Sequence, residues 1–151
     1  MVKFEELQDE ADKFAEEYKI ALNKNTNYEE AAKDWGIDQE GGMIYYMEHT
    51  GEIEDDIRLW LDLKGGKCLD ARILRPGEEP PREPILSLSA PMPIWKALAF
   101  KELDPITALM QNKLRVGGDM GLAMRYSKAA LELANSTEQT DRTVLTKYNL
   151  E

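Results

Sequence analysis

The sequence predicts an α+β fold with a mostly antiparallel sheet of about five strands covered by helices. Three observations carry this. Apolar residues recur at helical spacing near the start, at period two through the middle, and at helical spacing again towards the end. The strand signals come in a run rather than alternating one by one with helices, which argues against a doubly wound parallel sheet. A paired-glycine turn joins two of the strands and makes them antiparallel neighbours.

Residues 3–22 read as an amphipathic helix, with Phe4, Leu7, Ala11, Phe14, Tyr18 and Leu22 on one stripe and acids and lysines between them. The polar run 23–27 ends it. A short second helix covers 28–35, and Gly36 stops it. Residues 38–42 form a turn. Strand formers fill 43–47. Ile57, Leu59, Leu61 and Leu63 then alternate with Arg58, Trp60 and Asp62, the mark of a half-buried strand. Lys64-Gly65-Gly66-Lys67 is the hairpin turn, and the next strand runs over 68–74. Prolines and charges make 75–82 an exposed loop. A fourth strand covers 85–89. Proline opens a helix over 94–100. Asp104-Pro105 caps another over 105–111. A short strand at 113–116 is broken by Gly117-Gly118. Asp119 caps a longer helix whose stripe is Met120, Ala123, Met124, Ser127, Leu131 and Ala134. Beyond Asn135 the chain turns polar and reads as a loosely held tail.

Length and charge narrow the function. The 151 residues fit one ordinary core, divided as a helical pair over 1–40, a main domain over 41–135 and the tail over 136–151. The net charge of −10 opposes nucleic acid and anionic leaflets. No apolar run is long enough to span a membrane, and the acidic start, Glu5-Glu6, does not resemble a signal peptide. The one cysteine, Cys68, cannot make an internal disulfide, and the simplest setting is a reducing cytoplasm.

Catalytic and metal readings are weak. His49 is the single histidine and has no matching nucleophile arrangement, so a surface role is expected. Ser87 and Ser89 lack a nucleophile-elbow pattern. Glu52, Glu54, Asp55 and Asp56 lack calcium-loop spacing and read as a solvated turn. Gly117-Gly118 before a helix could cradle a phosphate, but Asp119 at the cap opposes an anion. Arg58, Lys113, Arg115 and Arg125 could meet a ligand carboxylate, although most exposed cations do nothing specific. No enzyme, metal or cofactor is expected.

The stretch 95–124 reads WKALAFKELDPITALMQNKLRVGGDMGLAM. It resembles the sterol carrier (non-specific lipid-transfer) protein family, in which a tryptophan helix precedes an acidic-proline helix and then a strand and turn of the form GKLx(V/I)xGDM. Asp104, Pro105, Ala108, Met110, Lys113, Leu114, Val116, Gly118, Asp119 and Met120 fall in that register. With the upstream strands the resemblance covers about 40–135. Asn112 and Gly117 depart from it, at the turn and the strand edge, and leave the fold unaffected.

The resemblance implies a helix-covered sheet with an apolar tunnel between the layers, holding a fatty acid, acyl-CoA or sterol-like ligand without chemistry. The tail helix would close or line it. The expected lining residues are Leu59, Leu61, Trp95, Leu98, Leu109, Met110, Met120, Ala123 and Met124. Methionine adapts to variable apolar shapes, as a promiscuous pocket needs, and equally fills ordinary cores. Trp95 either lines the tunnel or packs its helix on the sheet. Burying about fifteen CH₂ groups contributes roughly 12 kcal/mol gross. Association and ordering costs of ~4 kcal/mol or more bring the affinity to micromolar or weaker. The alternative is a protein-interaction or homodimerisation module of the same fold, with helix 3–22 as its partner face.

Overall fold

A computed structural model describes residues 1–151. Helix α1 spans Phe4–Lys24 and α2 spans Thr26–Ala31. Lys3 N–H donates to Glu6 at 2.8 Å and Phe4 N–H to Asp55 Oδ2 at 2.9 Å, so two donors at the start of α1 are satisfied. Asn25 accepts from Tyr28 N–H at 2.9 Å and starts α2. The stripe of α1 is buried from Phe4 to Leu22. It packs on the protein's own sheet, which removes it as a partner face for a second copy.

Strands β1 (Gly42–Glu48), β2 (Ile57–Lys64), β3 (Lys67–Leu74), β4 (Leu86–Pro91) and β5 (Arg115–Gly118) form one sheet in the order β3-β2-β1-β4-β5. Its pairings are antiparallel except β1 with β4, which is parallel, Tyr45 lying opposite Leu88. The hairpin turn has Gly65 and Gly66 at φ 59° and 81°, a region that costs glycine nothing. A Cβ on Gly66 would also stand 2.5 Å from the carbonyl oxygen of Glu29, so α2 sits directly on this turn.

Helices α3 (Met92–Ala99), α4 (Pro105–Met110), α5 (Met120–Arg125), α6 (Ser127–Asn135) and α7 (Thr143–Lys147) follow, with a 3₁₀ turn at Ser136–Gln139. Asp104 accepts from the N–H groups of Ile106 and Thr107 at 3.0 Å each, the expected cap. Asp119 caps α5 through Leu122 N–H at 3.2 Å. The main core lies between one face of the sheet and the helices. A second, small cluster on the opposite face joins Ile44, Trp60 and Leu74, with Arg82 lying 5.2 Å over the Trp60 ring.

Four expectations change. The single helix after Asp119 is two, broken at Tyr126 (φ −102°, ψ 33°). Leu131, placed on its apolar stripe, is exposed. Strand β5 includes Gly117 and Gly118 rather than stopping before them. The missing side chain is what the pairing uses, since a Cβ on Gly117 would meet Ser87 Oγ at 2.2 Å. The segment beyond Asn135 is not loosely held: Ser136, Val144, Leu145 and Leu150 are buried and Asn149 O accepts from Glu52 N–H at 2.8 Å. Asn112 adopts φ 57°, a conformation asparagine tolerates better than most residues, which explains how it stands in a glycine's place.

Candidate ligand-binding cavity

Between the sheet and the helical layer lies a cavity of about 120 Å³, lined by 31 residues of which 27 are hydrophobic. Strand alternation builds its floor. Met43, Tyr45 and Met47 project from one face of β1, and Leu86 and Leu88 lie beside them on β4. Helix α1 contributes Ala11, Phe14 and Tyr18, while α6 contributes its alanine face and Leu133. Val144 and Leu145 of α7 complete the wall.

Of the nine residues expected to line it, Trp95, Leu98, Leu109 and Ala123 do so. The Trp95 indole N–H donates to Ala90 O at 3.0 Å and Tyr46 O at 3.1 Å, so its polar atom is satisfied while its ring faces the cavity. Leu59 and Leu61 are fully buried, but they belong to the packed core on a strand that α1 covers, outside the cavity. Met124 packs against the core without lining. Met110 and Met120 are 75% and 47% exposed. Each lies on a six-residue helix that buries other positions, Pro105, Ala108 and Leu109 in α4 and Leu122 in α5. Adjacent residues on a helix point about 100° apart.

The other aromatic residues of the cavity were not among those nine. Tyr18, Tyr28, Trp35, Tyr45 and Tyr126 all line it. For Tyr45 and Tyr18 the signal was present, in the alternation of Met43, Tyr45 and Met47 and in the stripe of α1. Tyr18 donates to Leu133 O at 2.8 Å, and the hydroxyls of Tyr18 and Tyr45 are 3.1 Å apart. Burial pushes the phenols of Tyr18, Tyr28 and Tyr45 well up, so all three are neutral.

The polar side chains on the lining are Thr137, Asp141 and Arg142, all from one segment. Arg142 donates to Ala99 O at 3.1 Å, and its guanidinium sits 3.9 Å over the Phe100 ring. Asp141 accepts from both the hydroxyl and the N–H of Thr143 and lies 3.5 Å from Lys13; these bonds hold its carboxyl below the usual range. These charges therefore have partners already. His49 lies on the exposed end beyond β1, bonded to Asp56, and Cys68 lies buried on β3. The acidic turn has structural work in capping α1 through Asp55. No three histidine, cysteine or carboxylate side chains converge as a metal site, and no helix is long and apolar enough to cross a membrane.

Comparison with known proteins agrees with this architecture. Residues 44–131 match the SCP-2 sterol transfer family. A crystal structure of sterol carrier protein 2 superposes with a TM-score of 0.70 at 24% identity, covering 85% of this chain and 96% of that one. The solution structure of a conserved hypothetical protein, possibly sterol carrier protein, from Thermus thermophilus gives 0.69 at 25% identity, covering 82% and 83%. Sterol carrier protein domain 2 of Helicoverpa armigera gives 0.53 at 18% identity, covering 83% and 91%. No curated relative matches the sequence.

Proposed function

This chain belongs to the SCP-2 sterol transfer family, and from that premise we propose that it binds a lipid in its apolar cavity and carries it without chemistry. The observation that supports this reading is the lining, 27 hydrophobic residues of 31 around one space between sheet and helices. Such a surface rewards burial of hydrocarbon and offers few groups that could act on a substrate. The ligand is a fatty acyl chain or a sterol-like molecule. Release matters as much as capture for a carrier, and micromolar affinity permits both.

Size adds a requirement. An apolar cavity of roughly 150 Å³ accommodates one benzene ring. At about 120 Å³ the resting cavity holds a ring or a short chain, and a longer lipid enters only as the helical layer parts. We place the protein in a reducing cytoplasm, where the single thiol of Cys68 stays reduced.

The test is to purify the protein without detergent and measure it by native and then denaturing mass spectrometry with lipid extraction. Near-stoichiometric lipid supports the reading. Ala123→Trp, which fills the cavity from α5, is expected to lower uptake of a fluorescent fatty acid at least tenfold with the fold retained. An empty protein that takes up no fatty acid overturns the reading. Acyl-CoA hydrolysis clearly above background overturns the absence of chemistry.

A further inference from the structure

The sheet has two edges, and the chain caps only one of them. At β3 the Asn23 amide takes up the N–H and the carbonyl of Cys68. At β5 nothing does. Its residues pair with β4 on one side, and no other backbone or side-chain group of the chain bonds the main chain of 115–118. Alternate residues of such a strand turn an N–H and a C=O outward. Gly117 and Gly118 are exposed, and in glycine that exposure belongs to the main chain itself. An open edge of this kind is a template for a further strand.

The charges of the segment decide which strand fits. Lys113-Leu114-Arg115-Val116-Gly117-Gly118-Asp119 is basic at its start and acidic at its end, and all three charged residues are exposed. Laid antiparallel beside itself, it brings opposite charges together twice. A parallel copy would bring like charges together. Pairing centred on Gly117 sets Arg115 opposite the partner's Asp119 and Val116 opposite the partner's Gly118. Opposite charges directly across a strand pair are favourable, and like charges are not. Arg115 uses Nη2 on Glu48, which leaves other guanidinium donors free. Asp119 commits Oδ1 to the cap of α5, which leaves Oδ2. Met120 follows at once, 47% exposed and off the cavity lining, an apolar side chain beside the joint.

We propose that two copies of this chain pair through β5, antiparallel about Gly117, in a two-fold dimer whose sheet runs unbroken through ten strands. The same patch serves both subunits, as a two-fold interface requires. The axis stands perpendicular to the sheet, so both helical layers and both cavities lie on one side of it. Pairing of this kind does not depend on what the cavity holds.

Sedimentation velocity of the full chain over a concentration series is expected to reach twice the chain mass. Arg115→Glu and Asp119→Lys, each confirmed as folded by circular dichroism, should each weaken self-association roughly tenfold, because two like-charge contacts replace two favourable ones. Mixed in equal amounts, the two variants should recover it, since each then meets its opposite. On the unaltered protein, amides within 115–118 should exchange with deuterium more slowly as the dimer fills, a readout that needs no variant. A monomer at every concentration overturns the proposal. So does a dimer that both variants leave intact, a mixture of folded variants that stays monomeric, or a dimer in which none of these amides slows.

Discussion

The rings of Trp95 and Tyr45 stack with centroids 4.9 Å apart and planes 25° from parallel. This contact ties α3 to the central strand β1 at the wall of the cavity. The indole N–H adds a second tie to the strand carbonyls Ala90 O and Tyr46 O. Ring and donor therefore contribute separately to how firmly the helical layer sits on the sheet.

Trp95→Phe keeps a ring on Tyr45 and removes the N–H. It is expected to cost about 1 kcal/mol, the net worth of one hydrogen bond. Trp95→Ala removes the ring as well and is expected to cost about 3–5 kcal/mol. Urea unfolding of both variants measures the gap. Equal losses would mean that the indole donor, not the stacked ring, holds α3 in place.

Asn23 closes an open sheet edge. Strand β3 is terminal in the sheet, and an unpaired edge invites association with another chain. The Asn23 amide pairs with that edge as a peptide would, donating to Cys68 O at 2.9 Å and accepting from Cys68 N–H at 2.8 Å. Asn23→Ala is expected to cost about 1–3 kcal/mol for the two bonds. Cys68 supplies an independent readout. Burial pushes its thiol up to about 12, so at pH 8 the folded protein should label slowly with a maleimide, since only the thiolate reacts quickly. The variant should label faster under native conditions. An unchanged labelling rate would show that the edge stays closed without Asn23.

Much of this architecture was legible in the sequence because period and burial coincide. Ile57, Leu59, Leu61 and Leu63 alternate in sequence and are all buried on the helix side. Trp60 did not fit that alternation, because the far face of the sheet is covered too: the loop carrying Arg82 folds back over its ring. Parallel pairing of β1 with β4 was hidden for the same reason, since nothing local in 75–85 tells where a long connection returns. The methionines misled because chemistry does not reveal which side of a six-residue helix faces inward. The end of the chain misled because Val144, Leu145 and Leu150 are too few and too irregular to show a period, although tertiary packing buries all three.

That returning loop makes stability depend on pH. Arg82 donates to both oxygens of Glu40, at 2.7 and 2.6 Å, and to Asp62 at 2.7 Å. The Arg82 hydrogen bonds are the chief reason that the Glu40 carboxyl is held at about 2 rather than 4.5. A carboxyl lowered by folding stabilises the protein above its unfolded value, and that contribution is lost as pH falls from about 4.5 towards 2. The Glu40 side chain is 34% exposed, so solvent screening keeps the effect modest. The urea midpoint should fall across this window, and less steeply in Arg82→Met. Parallel pH profiles for the two proteins would remove Glu40 as a source of the acid sensitivity.

The polar end of the chain is expected to control exchange with the cavity. Residues 136–151 strap α1 along its length: Asp141 N–H donates to Glu17 at 2.7 Å, and Lys147 and Tyr148 both bond Glu10, at 2.8 and 2.9 Å. Beneath the strap Val144 and Leu145 face the cavity. These contacts are surface bonds over a thin apolar seal, the kind of region that opens locally at less than the global unfolding energy. Amides of α7 are therefore expected to exchange with deuterium well before those of β1. Leu145→Ser removes part of the seal and exposes a hydroxyl to the apolar wall, which costs most when the strap is closed. It should raise the rate at which a bound fluorescent fatty acid leaves, by roughly tenfold for each 1.4 kcal/mol lost from closure. Entry should quicken in step, because the open state is shared by both directions, so affinity should change far less than either rate. If α7 and β1 exchange together, and Leu145→Ser leaves the release rate unchanged, then the strap is part of the global fold and the ligand passes elsewhere between the helices.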